Sequence, residues 1–168
     1  LYYVNAYPHI GGTYTTIATD AIARYRRLVG DDVFFITGVD EHGQKIQRTA
    51  ENNNLDPIDH CNNIVTQYKN LWNNWNISHD YFIRTTSDIH KKVVYAFYDR
   101  VLESGDIYLG QQKGWYCVGC EEFKDININD SDSDKKCSIH QKNLEWRDET
   151  NLFFKLSKYQ QDIEELVS

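Results

Sequence analysis

Apolar and polar positions alternate along the chain with two periods, one suited to short buried strands and one to longer helices with a single apolar face. Tyr2, Tyr3 and Val4 read as a short buried strand, and a helix is predicted to open near Thr13. Along it Ile17, Ala21, Ile22, Tyr25, Leu28 and Val29 recur on one face, while Arg24, Arg26 and Arg27 fall mainly elsewhere, so the apolar face is expected to be the buried one. Gly30 is a natural stop. Val33 to Ile36 is an uninterrupted apolar run, the pattern of a parallel strand covered on both sides. Strand, helix and strand in this order form a βαβ unit.

Farther along, Pro57 follows Asp56 as a first-turn proline after a capping residue, and Ile58, Cys61, Val65, Tyr68, Trp72 and Trp75 alternate steps of three and four. This predicts a long helix with one buried face. Cys61 lies on that face, isolated from the other cysteines, and reads as a small core residue. Tyr81 to Arg84 is expected to add a parallel strand. Ser87 is a candidate cap for a helix carrying Val93, Val94, Phe97, Val101 and Leu102 and ending at Gly105.

After Gly105 the pattern changes. Ile107 to Leu109 and Gly114 to Tyr116 read as two short strands, and Asp125 to Lys136, rich in Asp, Asn and Ser, as a solvated, mobile loop. A calcium loop there would need a Gly and a terminal Glu that the segment lacks. Trp146 to Leu156 reads as the chain returning to its main domain, with a helix from Lys158. The expected organisation is residues 1–106, 107–147 and 148–168.

With 168 residues and 40% apolar content, the chain can bury one core with a small appended lobe. A net charge of −7 makes it a poor main docking surface for a polyanion, so any nucleic-acid contact should be local. No apolar run approaches a membrane span and no signal peptide is visible. The chain begins inside its first strand, so this says nothing of a segment ahead of it.

Two clusters carry chemistry. The first joins the Pro8-His9-Ile10-Gly11-Gly12 turn to the Asp40-Glu41-His42-Gly43 turn, both at carboxyl ends of strands, where open parallel sheets bind ligands. The new helix points free N–H groups at an arriving anion. Gly11 and Gly12 let a base or a phosphate chain approach the backbone, and His9 can add a hydrogen bond or a positive charge. Each stretch alone would more often be an ordinary turn, and Tyr3 alone an ordinary strand aromatic. Only their order and spacing point to a nucleotide site. The second cluster is Cys117-Val-Gly-Cys120 and Cys137-Ser-Ile-His140, two ligand pairs with the spacing of a tetrahedral Cys₃His zinc site. Four filled positions leave no place for substrate, so the metal would be structural. Disulfides or plain core cysteines are the competing readings.

Tyr3-Val-Asn-Ala-Tyr-Pro-His9-Ile-Gly-Gly12, Tyr14-Thr-Thr-Ile, Asp20-Ala-Ile-Ala-Arg-Tyr and Phe34-Phe-Ile-Thr-Gly-Val-Asp40-Glu-His-Gly-Gln-Lys-Ile together resemble the class I aminoacyl-tRNA synthetases, and within them the methionyl-tRNA synthetases. The similarity runs along essentially the whole chain, to Asn151-Leu-Phe-Phe-Lys-Leu-Ser157. It implies an α/β fold: the first half of a Rossmann-like parallel sheet, with a small zinc-bearing connective peptide inserted. It implies methionine activation with ATP and transfer of the acyl group to tRNA(Met). By resemblance His9 would contact the phosphates, Gly11 would let adenine lie on the backbone, and Asp40 would pair with the substrate ammonium. The Leu1 backbone and Tyr3 would line the methionine pocket. Magnesium would accompany ATP. The family's usual His-Ile-Gly-His has Gly12 in its last position here, so Gly12 replaces a second ATP contact.

The family's Lys-Met-Ser-Lys-Ser loop, the second half of the nucleotide fold and the anticodon-binding domain are expected beyond Ser168, so the chain by itself should not complete the reaction. The expected location is the cytoplasm, or an organellar matrix or stroma. The competing functional readings are a related class I synthetase or nucleotidylyltransferase, and a noncatalytic zinc-bearing binding module, which Gly12 supports best.

Overall fold

Three short strands, each followed by a helix, organise the first part of the molecule in a computed structural model that describes residues 1–125 and 135–168. The loop expected between Asp125 and Lys136 lies largely outside the described residues. The chain divides into two units, Leu1–Val93 and Val94–Ser168.

In the first unit β1 (Tyr2–Tyr3), β2 (Ile36–Asp40) and β3 (Tyr81–Arg84) form a parallel sheet in the order β1-β2-β3. The expected α/β class with a parallel sheet holds. Tyr3 pairs with Asp40 and Gly38 with Ile83. Helix α1 (Ile10–Leu28) links β1 to β2, and α2 (Gln44–Asn52) and α3 (Pro57–Asn74) link β2 to β3. Asp56 caps α3 by accepting the Ile58 N–H at 3.0 Å, with Pro57 in the first turn as expected. The core gathers Val4, Val39, Ile46, Cys61, Val65 and Trp72. Burial pushes the Cys61 thiol up to about 11, so it stays an uncharged core group at neutral pH.

Two expectations fail here. Helix α1 starts at Ile10 rather than near Thr13, because His9 has extended backbone geometry and caps the helix with its ring. Its buried face is Thr13, Thr16, Asp20 and Ala23, whereas Ile17, Ile22, Tyr25 and Leu28 are exposed. Hydrogen bonds decide this orientation. Tyr2 Oη meets Thr16 Oγ1 at 2.5 Å, and Asp20 Oδ1 accepts both the N–H and the hydroxyl of Ser78 at 2.6 Å. Arg27 then reaches Asp80 at 2.7 Å. Burial tends to push the Asp20 carboxyl up, but its bonds from Ser78 and Arg24 outweigh that and hold it below the usual range.

The second strand is also displaced. Val33 to Ile36 mostly precedes it, and Phe34 and Ile36 are 70% and 52% exposed. The buried part is Thr37, Gly38 and Val39. Closeness to β3 selects small residues there: a Cβ on Gly38 would lie 2.1 Å from the Ile83 carbonyl oxygen.

Helix α4 (Asp88–Glu103) leads into the second unit. The Ser87 hydroxyl donates back to the Arg84 carbonyl at 2.7 Å, and among the described residues no helix N–H donates to it as it would to a cap. Gly105, with φ +73, ends α4 as expected: its N–H donates to Leu102 and that of Asp106 to Val101. The two short strands expected next are one, β4 (Ile107–Cys117), paired antiparallel with β6 (Glu145–Phe154) along its length and with β5 (Glu122–Lys124) at its end. The polar run Gly110 to Lys113 breaks the apolar pattern but not the backbone ladder, and the Phe153 ring lies over Gly110. A 3₁₀ turn (Leu156–Tyr159) and α5 (Gln160–Val167) close the chain. Asp106, 1% exposed, joins these parts by accepting from Lys158 Nζ at 2.6 Å, Ser104 Oγ at 2.7 Å and the Tyr159 hydroxyl.

Candidate functional site

The carboxyl ends of β1 and β2 share one edge of the parallel sheet, and α1 opens from that edge. His9 Nδ1 accepts the Gly12 N–H at 3.3 Å, and the His9 carbonyl accepts the N–H groups of Gly12 and Thr13 at 3.0 Å. A neutral His9 ring that accepts through Nδ1 carries its proton on Nε2, so it presents a donor. Ile10 and Gly11 keep N–H groups with no acceptor among the described residues. This concentrates hydrogen-bond donors and the positive end of the helix dipole at one turn. Space at Gly11 is tight, since a Cβ would sit 3.3 Å from His9 Nδ1 and the ring would have to give by a few tenths of an ångström. Gly12 is roomier: a Cβ there would touch nothing nearer than 3.8 Å.

Register sets Tyr3 beside Asp40. Lys45 Nζ lies 5.5 Å from the Tyr3 ring centroid. Asp40 Oδ1 accepts the His42 N–H at 3.2 Å and the Thr85 hydroxyl at 3.3 Å. Leu1, exposed ahead of β1, borders a hollow of about 280 Å³ with Tyr2, Thr16, Thr19 and Phe35. The sequence led Glu41 to this edge together with Asp40 and His42, but its side chain turns inward. Arg84 Nε donates to its two oxygens at 2.8 and 3.0 Å, and the Thr86 hydroxyl donates to Oε2. Thr85 and Arg84 were missed in the sequence because they lie more than forty positions from Asp40 and Glu41, and only the β2–β3 register brings them near. Buried His60, also missed, meets the Val4 carbonyl at 2.8 Å through Nε2 and so steadies β1 from α3.

In the second unit Cys117, Cys120, Cys137 and His140 come together as the sequence spacing implied, with ligand atoms all within 4.8 Å of one another, and could hold a metal ion. Two similar turns build the group. Cys117 Sγ accepts the Cys120 N–H and Cys137 Sγ the His140 N–H, both at 3.4 Å. The Cys117 and Cys137 carbonyls accept the N–H groups of Glu121 and Gln141, both at 2.8 Å, and both of those residues have positive φ, 58° and 53°. Cys120 and Cys137 sulfurs lie 3.5 Å apart, and His140 Nδ1 lies 3.4 to 3.8 Å from the three sulfurs. A tetrahedral ion with bonds of about 2.3 Å to sulfur and about 2.0 Å to nitrogen needs edges of about 3.8 and 3.5 Å. The donor set therefore fits such an ion and is far from disulfide bonding, and all four cysteines of the chain are free thiols. The His140 N–H holds the Cys137 thiol down to about 6, while burial and its sulfur neighbours push Cys120 up. Gly119 makes room for the imidazole, since a Cβ there would lie 2.6 Å from His140 Cγ. Among the described residues no helix is long and apolar enough to cross a membrane.

Residues 1–130 match the family model described as tRNA synthetases class I (M). A methionine--tRNA ligase of Synechocystis is 54% identical over all of this chain, and the chloroplastic/mitochondrial methionine--tRNA ligase of Arabidopsis thaliana is 48% identical over the same extent. The structure superimposes on Mycobacterium tuberculosis methionyl-tRNA synthetase in complex with methionyl-adenylate with a TM-score of 0.87 and 35% identity, over 96% of this chain and 32% of that one. The chain spans 31% of the Synechocystis relative and 27% of the Arabidopsis one. By the family model and the shared fold, this chain belongs to the class I tRNA synthetases of the (M) family.

Proposed function

We propose that the full-length protein activates methionine with ATP and transfers it to tRNA(Met). The methionine carboxylate attacks the α-phosphorus, the bond from that phosphorus to the bridging oxygen breaks, and pyrophosphate leaves. The terminal ribose hydroxyl of the tRNA then takes the acyl group and AMP departs. Such chemistry needs positioning and charge stabilisation, not a protein nucleophile. The observation that carries this reading is the meeting of Tyr3, Asp40 and the donor-rich turn of α1 at one sheet edge. His9 Nε2 and the free N–H groups would hold phosphate oxygens, Gly11 would admit the adenine, and Gly12 would stand where a second contact is usual. Asp40 would take the methionine ammonium, with Tyr3 and the Leu1 backbone beside the side chain. Magnesium would arrive with ATP.

On this reading residues 1–106 are the first half of the nucleotide fold, residues 107–147 the connective peptide and residues 148–168 the return to the catalytic domain. Cys117, Cys120, Cys137 and His140 would hold zinc as a structural ion, which orders a lobe too small to order itself. Contacts to tRNA would come mainly from regions outside this chain, and the protein would work in the cytoplasm or in an organellar matrix or stroma. The test is methionine-dependent ATP–pyrophosphate exchange by the full-length protein, with other amino acids as controls. Exchange with methionine alone is expected; a folded, zinc-loaded protein that does not exchange would overturn the assignment.

A further inference from the structure

We infer that Thr85 is a positioning residue that fixes which oxygen of Asp40 faces the substrate ammonium, with Glu41 and Arg84 as its anchor. This rests on the role proposed above for Asp40. The Thr85 hydroxyl is 93% buried by residue and has one proton to give and two lone pairs. It accepts the buried Glu41 N–H at 2.9 Å and donates to Asp40 Oδ1 at 3.3 Å, so a single hydroxyl links successive residues of the turn. The His42 N–H falls on the same oxygen, and the His42 ring reaches back to the Thr85 carbonyl at 3.3 Å. Both hydrogen bonds that Asp40 accepts from described residues therefore use Oδ1. Oδ2 is left to meet a cation.

What keeps Thr85 in place is the pair beneath it. The Glu41 side chain is fully buried; Arg84 Nε donates to both of its oxygens, the rest of the guanidinium pairs with it by charge at 2.7 Å, and the Thr86 hydroxyl donates to Oε2. A buried carboxylate paired with a guanidinium and bonded by a hydroxyl has few alternative positions, so the end of β3 is tied to the turn after β2. The Thr85 N–H also continues the ladder to the Val39 carbonyl at 3.4 Å. Asp40 is thus oriented from the neighbouring strand rather than by its own turn alone, and the cation it favours is one approaching from the Oδ2 side.

The test is steady-state exchange in the full-length protein with Thr85→Val, which keeps the shape and removes the hydroxyl. The KM for methionine is expected to rise on the order of tenfold while the KM for ATP stays within about twofold, and Thr85→Ser should restore the wild-type value. Circular dichroism melts establish that the variants fold. If Thr85→Val does not fold, Thr85→Cys, whose thiol is a poor donor in the same place, must show the same split. An unchanged KM for methionine, or equal rises for both substrates, would overturn the inference while leaving the activity assignment intact. Absence of methionine-dependent exchange in the unmodified protein would instead remove the reading on which it rests.

Discussion

Three glycines show how little space separates tolerance from disruption. At Gly119 an added methyl would meet the His140 ring at 2.6 Å, so Gly119→Ala is expected to weaken zinc binding by roughly 10- to 100-fold, read by competition with a chromogenic chelator. Gly38 is less forgiving, because the atom in the way is the Ile83 carbonyl. Gly38→Ala should cost at least about 3 kcal/mol in a urea melt, since neither strand can yield without losing the ladder. Gly12 has room, and Gly12→His should fold like the wild type and lower the KM for ATP in exchange assays of the full-length protein. In the sequence, the four candidate metal ligands stood out by their paired spacing, and His9 and Asp40 as candidates by the order of their two turns taken together. Thr85, Arg84 and Gly119 did not, since their meaning depends on a partner that only the strand register or a turn brings near.

Helices followed their apolar patterns to different degrees: α3 largely, α1 and α4 not. Helix α3 buries Cys61, Val65, Tyr68 and Trp72 as its spacing required, while Ile58 and Trp75 at its two ends are exposed. Helix α1 buries Thr16 and Asp20 instead of its isoleucines, because the Asp20 carboxylate and Arg27 join it to the segment before β3. That polar joint gives a pH signature. The Asp20 carboxyl is held below its unfolded value, so its stabilisation is complete above about pH 4 and is lost as pH falls through the lower, folded value. Thermal melts of wild type and Asp20→Asn should differ most at neutral pH and converge as pH falls below about 4. A gap independent of pH would rule out an ionised Asp20 as the source. The β4 strand teaches a related point: Gly110 to Lys113 looked like an interruption because hydropathy records side chains, whereas the ladder with β6 is made by the backbone.

At the scale of the whole molecule, metal and sheet should part company. Structural zinc contributes on the order of 10 kcal/mol to small lobes. Chelation is expected to abolish amide protection around β5 and Cys137 to Leu144 while leaving β1, β2 and β3 protected, as hydrogen exchange would record. Uniform loss would mean that the ion supports both units. The apolar positions of α1 and α4 lead elsewhere. Ile17, Ile22, Leu28, Val93 and Phe97 all face solvent here. A surface of that kind should make the 168-residue segment, expressed by itself, bind hydrophobic dyes, self-associate as its concentration rises and call on chaperones in the cell, although its secondary structure is intact. These exposed helix faces thus set the handling properties of the polypeptide, and solubility tags or glutamate substitutions at Ile22 and Phe97 are the practical route to studying it.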